Sequence, residues 1–72
     1  MIHCYRLTKK IPTVGKKTIA AYNLIRKYRL ADFSRDTFVQ IVQQDLHYTT
    51  KAAYSVFLQL HHIGALEHSR SY

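Results

Sequence analysis

Between Phe38 and Leu66 the apolar residues recur at a helical period, lose it, and take it up again. Phe38, Ile41, Val42 and Leu46 line one face of a helix, and His47-Tyr48-Thr49 breaks the rhythm. Ala53, Val56, Phe57, Leu60 and Ile63 then start a second stripe. End signals frame both runs. Ser34 stands where an N-cap is needed, with Asp36 in the first turn and Phe33 spaced to staple against Phe38. Thr49 caps the following helix, and Gly64 ends it as a C′ glycine. Upstream, Ala21, Leu24, Ile25 and Tyr28 form another stripe, with Ile19 and Tyr22 beside it, after the breaks at Pro12 and Gly15. The pattern predicts helices near 16–29, 35–46 and 50–63. Their expected core is Leu24, Ile25, Tyr28, Phe38, Ile41, Val42, Phe57 and Leu60. Residues 2–7 alternate in a way that suits a short strand, a mobile arm being the alternative, and Ala65-Leu66-Glu67-His68 can start another strand.

Two amphipathic helices joined by a three- or four-residue turn form a helix-turn-helix unit, whose second helix can enter the DNA major groove. The stretch resembles the winged-helix branch of that superfamily. Leu46, His47, Tyr48 and Thr49 fill the turn, and Leu60-His61-His62-Ile63-Gly64-Ala65-Leu66 fills the end of the recognition helix. The turn position usually held by Gly is His47, a residue that tolerates positive φ better than most but less freely than Gly. The resemblance implies a mainly α fold: a three-helix, winged-helix-like helix-turn-helix domain with a reduced two-stranded β element from the N- and C-termini. It also implies a brief strand within residues 30–33. A full wing needs two strands and a loop after the third helix, and only six residues follow Leu66, so residues 2–7 are expected to pair with 65–70. The chain thus divides into an N-terminal strand and basic connector (1–15) and the helix-turn-helix domain (16–72).

Composition narrows the partners. The chain has 72 residues, enough for one small domain with a thin stability margin, and its 47% hydrophobic content argues against disorder. A single Cys, Cys4, forbids an internal disulfide. No apolar run is long enough to span a membrane, and Met1–Arg6 lacks the apolar stretch of a signal peptide. The expected compartment is cytoplasmic, or nuclear in a eukaryotic host or its virus. Eleven Lys and Arg against four Asp and Glu give a net charge of +7, which attracts polyanions, nucleic acid foremost.

On the outer side of the third helix, Lys51 can bond guanine or phosphate, Gln59 can pair with adenine, and Ser55 can reach either base edges or phosphate. Thr50 and Tyr54 suit phosphate oxygens. That helix holds one cation. Most positive charge lies elsewhere, at Arg6, Lys9 and Lys10 in the arm, Lys16 and Lys17 at the first helix, and Arg35 at the second. These residues are expected to anchor the backbone of double-stranded DNA, with the arm lying along a minor groove or remaining a solvated tail. Cys4, His3, His61, His62 and His68 do not fall at metal-ligand spacings, so no metal or other cofactor is expected. No nucleophile elbow, P-loop or dinucleotide glycine pattern occurs, so no catalysis is expected. The leading expectation is a non-catalytic DNA-binding protein, a transcriptional regulator or a phage- or plasmid-type accessory factor. The alternative is a protein-interaction module, an inhibitor or adaptor for an acidic partner, favoured by Leu58 on the outer side of the third helix and by the uncharged Gln40, Gln43 and Gln44. A homodimer is expected through the edge of strand 2–7, with tail 65–72 and the first helix as other surfaces and a monomer stapled by the pairing of 2–7 with 65–70 as the competing arrangement.

Overall fold

The computed structural model describes residues 2–71; Met1 and Tyr72, the outer ends of segments 1–15 and 65–72, lie outside the described residues. The order is β1 (His3–Leu7), α1 (Lys16–Tyr28), β2 (Phe33–Ser34), α2 (Arg35–Leu46), α3 (Thr50–His62) and β3 (Leu66–Ser71). Three helices pack with one antiparallel sheet in the order β2-β1-β3. Among the described residues, no helix is long and apolar enough to cross a membrane.

The helix ends follow their local chemistry. The Ser34 hydroxyl accepts from the Thr37 amide at 3.2 Å, and the Thr49 hydroxyl from the Ala52 amide at 3.1 Å. Between α2 and α3 the chain reverses through His47, whose φ of 58° lies in the left-handed region. Its amide still donates to Gln43 O at 3.1 Å. After α3, Gly64 adopts φ +86°, its amide donates to His61 O at 3.2 Å, and the Ala65 amide reaches back to Leu60 O at 2.9 Å. These are the paired bonds of a Schellman C-cap, and they turn the chain directly into β3.

The sheet departs from expectation in one respect. It has three strands rather than two, because Phe33 and Ser34 pair with Tyr5 and Cys4 on one side of β1 while β3 pairs along the other. The central strand therefore comes from the N-terminal segment, and β1 has a neighbour on both sides. Part of the edge through which a dimer was expected is thus taken within the chain, at Cys4 and Tyr5.

The core is shifted around α1. Thr18, Ala21, Tyr22 and Ile25 are its buried residues, one helical face at spacings of three and four. Tyr28, expected inside, is exposed; it sits in the last turn, and its hydroxyl donates to Asp45 Oδ2 at 2.6 Å. That bond to a carboxylate, foremost, holds the phenol above its ordinary titration range. Leu24 and Ile41 are half-buried at the margin, while Val39 takes a buried place. Phe38 is central. Its ring stacks on Phe33 at 6.1 Å between centroids and meets Phe57 edge-on at 5.2 Å, and Phe57 in turn meets Tyr5 at 5.0 Å. This aromatic chain joins α2 and α3 to β1 and fixes how α3 lies on the rest of the protein.

Candidate nucleic-acid interface

Because Ala53, Val56, Phe57 and Leu60 are buried, the opposite face of α3 is set outward. Lys51, Ser55, Leu58, Gln59 and His62 are all exposed, at spacings that place them along one side of the helix. Leu58 is 64% exposed and lines a shallow groove with Ser55, Gln59, His61 and His62. The face thus offers one cation, several hydrogen-bonding side chains and an apolar contact within one helix length.

Two expected contact residues are already engaged. The Thr50 hydroxyl accepts from Gln43 Nε2 at 2.9 Å, which ties the start of α3 to α2 and gives one of the uncharged glutamines an internal role. Tyr54 is half-buried, and the Arg35 guanidinium lies 5.2 Å from the centre of its ring. That cation–π contact brings Arg35, at the start of α2, to the flank of α3.

Other cations are held near α3 in similar ways. Lys17 Nζ lies 5.5 Å from the Tyr48 ring centre, and the Tyr48 hydroxyl donates to Lys17 O at 3.0 Å. Burial pushes the Tyr48 phenol up from its ordinary range. Since Tyr48 directly precedes the Thr49 cap, Lys17 stands beside the N-terminal end of α3; Lys16 is exposed next to it in sequence. At the far end, Lys10 passes over Gly64 closely enough that a Cβ there would lie 3.4 Å from its Cδ.

The basic connector is not the free arm of the alternative reading. Thr8 Oγ1 donates to Gly64 O at 2.6 Å, the Thr8 amide to Ala65 O at 2.8 Å, and the Tyr22 hydroxyl to Thr8 O at 2.8 Å. These bonds pin the chain to the C-terminal end of α3 and leave Lys9 and Lys10 exposed beside it. Arg6 is drawn away from this group. It faces Glu67 across the β1–β3 ladder, and its Nε donates to the Glu67 carboxylate at 2.5 Å. Sequence reasoning named Lys10, Lys17 and Arg35 by charge alone and gave Tyr48 no part beyond the turn. An aromatic just before a helix cap was the available signal for it.

α3 itself contains no acid. Asp32 pairs with Arg70 at 3.0 Å, Glu67 with Arg6, and Asp45 accepts from Tyr28; Asp36 sits in the first turn of α2. No family model matches the chain, and no curated protein or solved structure matches it.

Proposed function

We propose that this is a small, non-catalytic DNA-binding protein that works by occupying its site, with α3 in the major groove of a winged-helix-like helix-turn-helix domain. The observation that carries the reading is the setting of α3. An acid-free helix turns a polar face outward and has cations held at its start (Lys17), its flank (Arg35) and its end (Lys10). Phosphates border the major groove on both sides, so cations around a groove-sized helix, Lys51 among them, suit backbone anchoring while Ser55 and Gln59 meet base edges. The sheet supports the same reading: β1 pairs beside β3 and supplies the second strand that a wing requires. A transcriptional regulator and a phage- or plasmid-type accessory factor both fit this mode of action.

A protein-interaction module is the second reading, and the exposure of Leu58 favours it. Gel-shift titration of duplex DNA across salt concentrations separates the two. The DNA reading expects binding at ~50 mM salt that weakens steeply as salt rises. It also expects Ser55→Glu, which puts an anion on the outward face, to abolish the shift without changing the melting temperature. Absence of any shift at ~50 mM salt overturns it.

A further inference from the structure

Where β1 begins and β3 ends, three side-chain atoms converge. His3 Nδ1 lies 3.1 Å from His68 Nε2 and 2.9 Å from Ser71 Oγ, and His68 Nε2 lies 2.9 Å from the same Oγ. A β-bulge builds this cluster. His3 and Tyr5 share one face of β1, and their partners across the ladder are Ser71 and His68. Those partners are separated by two residues, so in a regular strand they would point to opposite faces. The ladder shifts register between Cys4 and Tyr5: Cys4 opposes Arg70, and Ser69 is left over. The extra residue returns Ser71 to the face of His68. Tyr5 then contacts the His68 ring edge-on at 5.6 Å, and the His3 and His68 rings lie 5.2 Å apart at a tilt of 58°.

We infer that this cluster is a surface chelate for a divalent transition-metal ion of the zinc, nickel or copper class. Imidazole nitrogen suits these ions. Metal–nitrogen bonds of about 2.0–2.1 Å to two nitrogens 3.1 Å apart meet at roughly 100°, between the right angle of a square or octahedral site and the tetrahedral angle. Ser71 Oγ, 2.9 Å from both nitrogens, stands at a third corner, as a weak ligand or as the anchor of a bound water. Among the described residues, no group of three His, Cys, Asp or Glu could hold an ion. Two imidazoles are therefore the protein's main contribution, and solvent fills the remaining positions. That makes the site exchangeable, unlike a structural zinc centre closed by four protein ligands. On β3, Glu67 pairs with Arg6 and Arg70 with Asp32, while Arg35 and Asp36 line the hollow beside His3. An ion held here ties His3, the first residue of β1, to His68 and Ser71 of β3, an arrangement that exists only when the sheet is folded, so binding stabilises the fold.

Thermal melting of the full chain with added zinc or nickel tests this. Wild type is expected to melt about 4–8 °C higher once free metal stands roughly fivefold above its dissociation constant. His62→Gln, an exposed histidine on α3, keeps that response. His3→Gln and His68→Gln each lose it while melting like wild type without metal. No response to either ion in wild type, or a response that survives in His3→Gln or His68→Gln, overturns the assignment. If either variant melts low without metal, the paramagnetic resonance spectrum of copper-loaded wild type decides: two equatorial imidazole nitrogens uphold the chelate, and fewer overturn it.

Discussion

His47 is where the chain accepts local strain for the sake of the turn between α2 and α3. Its φ of 58° is a conformation that favours glycine. A left-handed residue with a Cβ costs roughly 1–2 kcal/mol, while glycine costs about 0.5–1 kcal/mol in extra unfolded-chain entropy. His47→Gly is therefore expected to stabilise the domain by about 0.5–1 kcal/mol, read in urea melts as a higher midpoint at constant slope. His47→Val, which brings β-branching to the same φ, is expected to destabilise it. Equal midpoints for the three proteins would mean that the left-handed turn carries no strain. Arg29, the left-handed C-cap of α1 with φ 56°, offers an independent place to repeat the comparison.

At the scale of elements, the helices were legible and the sheet was only half so. Caps and stripes are local, so Ser34, Thr49 and Gly64 marked boundaries that lie within a residue or two of those found. Burial within a helix was harder to read. On α1, Tyr22 and Tyr28 both belong to or border the apolar stripe, and only tertiary contacts separate them: Tyr22 is buried and donates to Thr8 O, while Tyr28 reaches Asp45 of α2. The pairing of β1 with β3 followed from chain economy, but its second pairing depends on where α1 returns Phe33, which no local signal specifies. The histidine cluster was hidden for a related reason: it needs both a distant pairing and a one-residue bulge. Phe57 ties these elements together, buried between Phe38 of α2 and Tyr5 of β1. Phe57→Ala removes both edge-to-face contacts and leaves a cavity, an expected cost of ~3–5 kcal/mol. For a domain of 72 residues that is most of the stability available, so the cooperative melting transition is expected to disappear near room temperature. A mutant that melts within a few degrees of wild type would show that α3 is held by other contacts.

For the molecule as a whole, the proposed DNA binding makes each cation a candidate anchor, and salt dependence counts those that are used. Deleting residues 1–10 is not a usable test of the arm's charge, because it removes the central strand of the sheet along with Lys9 and Lys10. Point substitutions leave the fold alone. If Lys10, Lys17, Arg35 and Lys51 each meet one phosphate, the logarithm of affinity should fall against the logarithm of salt with a slope of about −3.6, since each phosphate neutralised contributes about 0.9. Changing any one of the four to Gln should make the slope shallower by about 0.9 and weaken binding similarly on all sequences. Arg35→Gln has a second effect, loss of the contact with the Tyr54 ring, so its melting temperature is measured alongside. Arg6→Gln is the control: Arg6 is spent on Glu67 across the sheet, and its removal should leave the slope unchanged. Gln59→Ala tests the other half of the interface. A base-edge contact changes affinity for a selected sequence by ~1–3 kcal/mol and leaves the slope as it was. A slope that moves with Arg6 and not with Lys17 or Lys51 would put the bound DNA on the sheet instead of α3, and the proposed orientation would fall even though DNA binding itself remained.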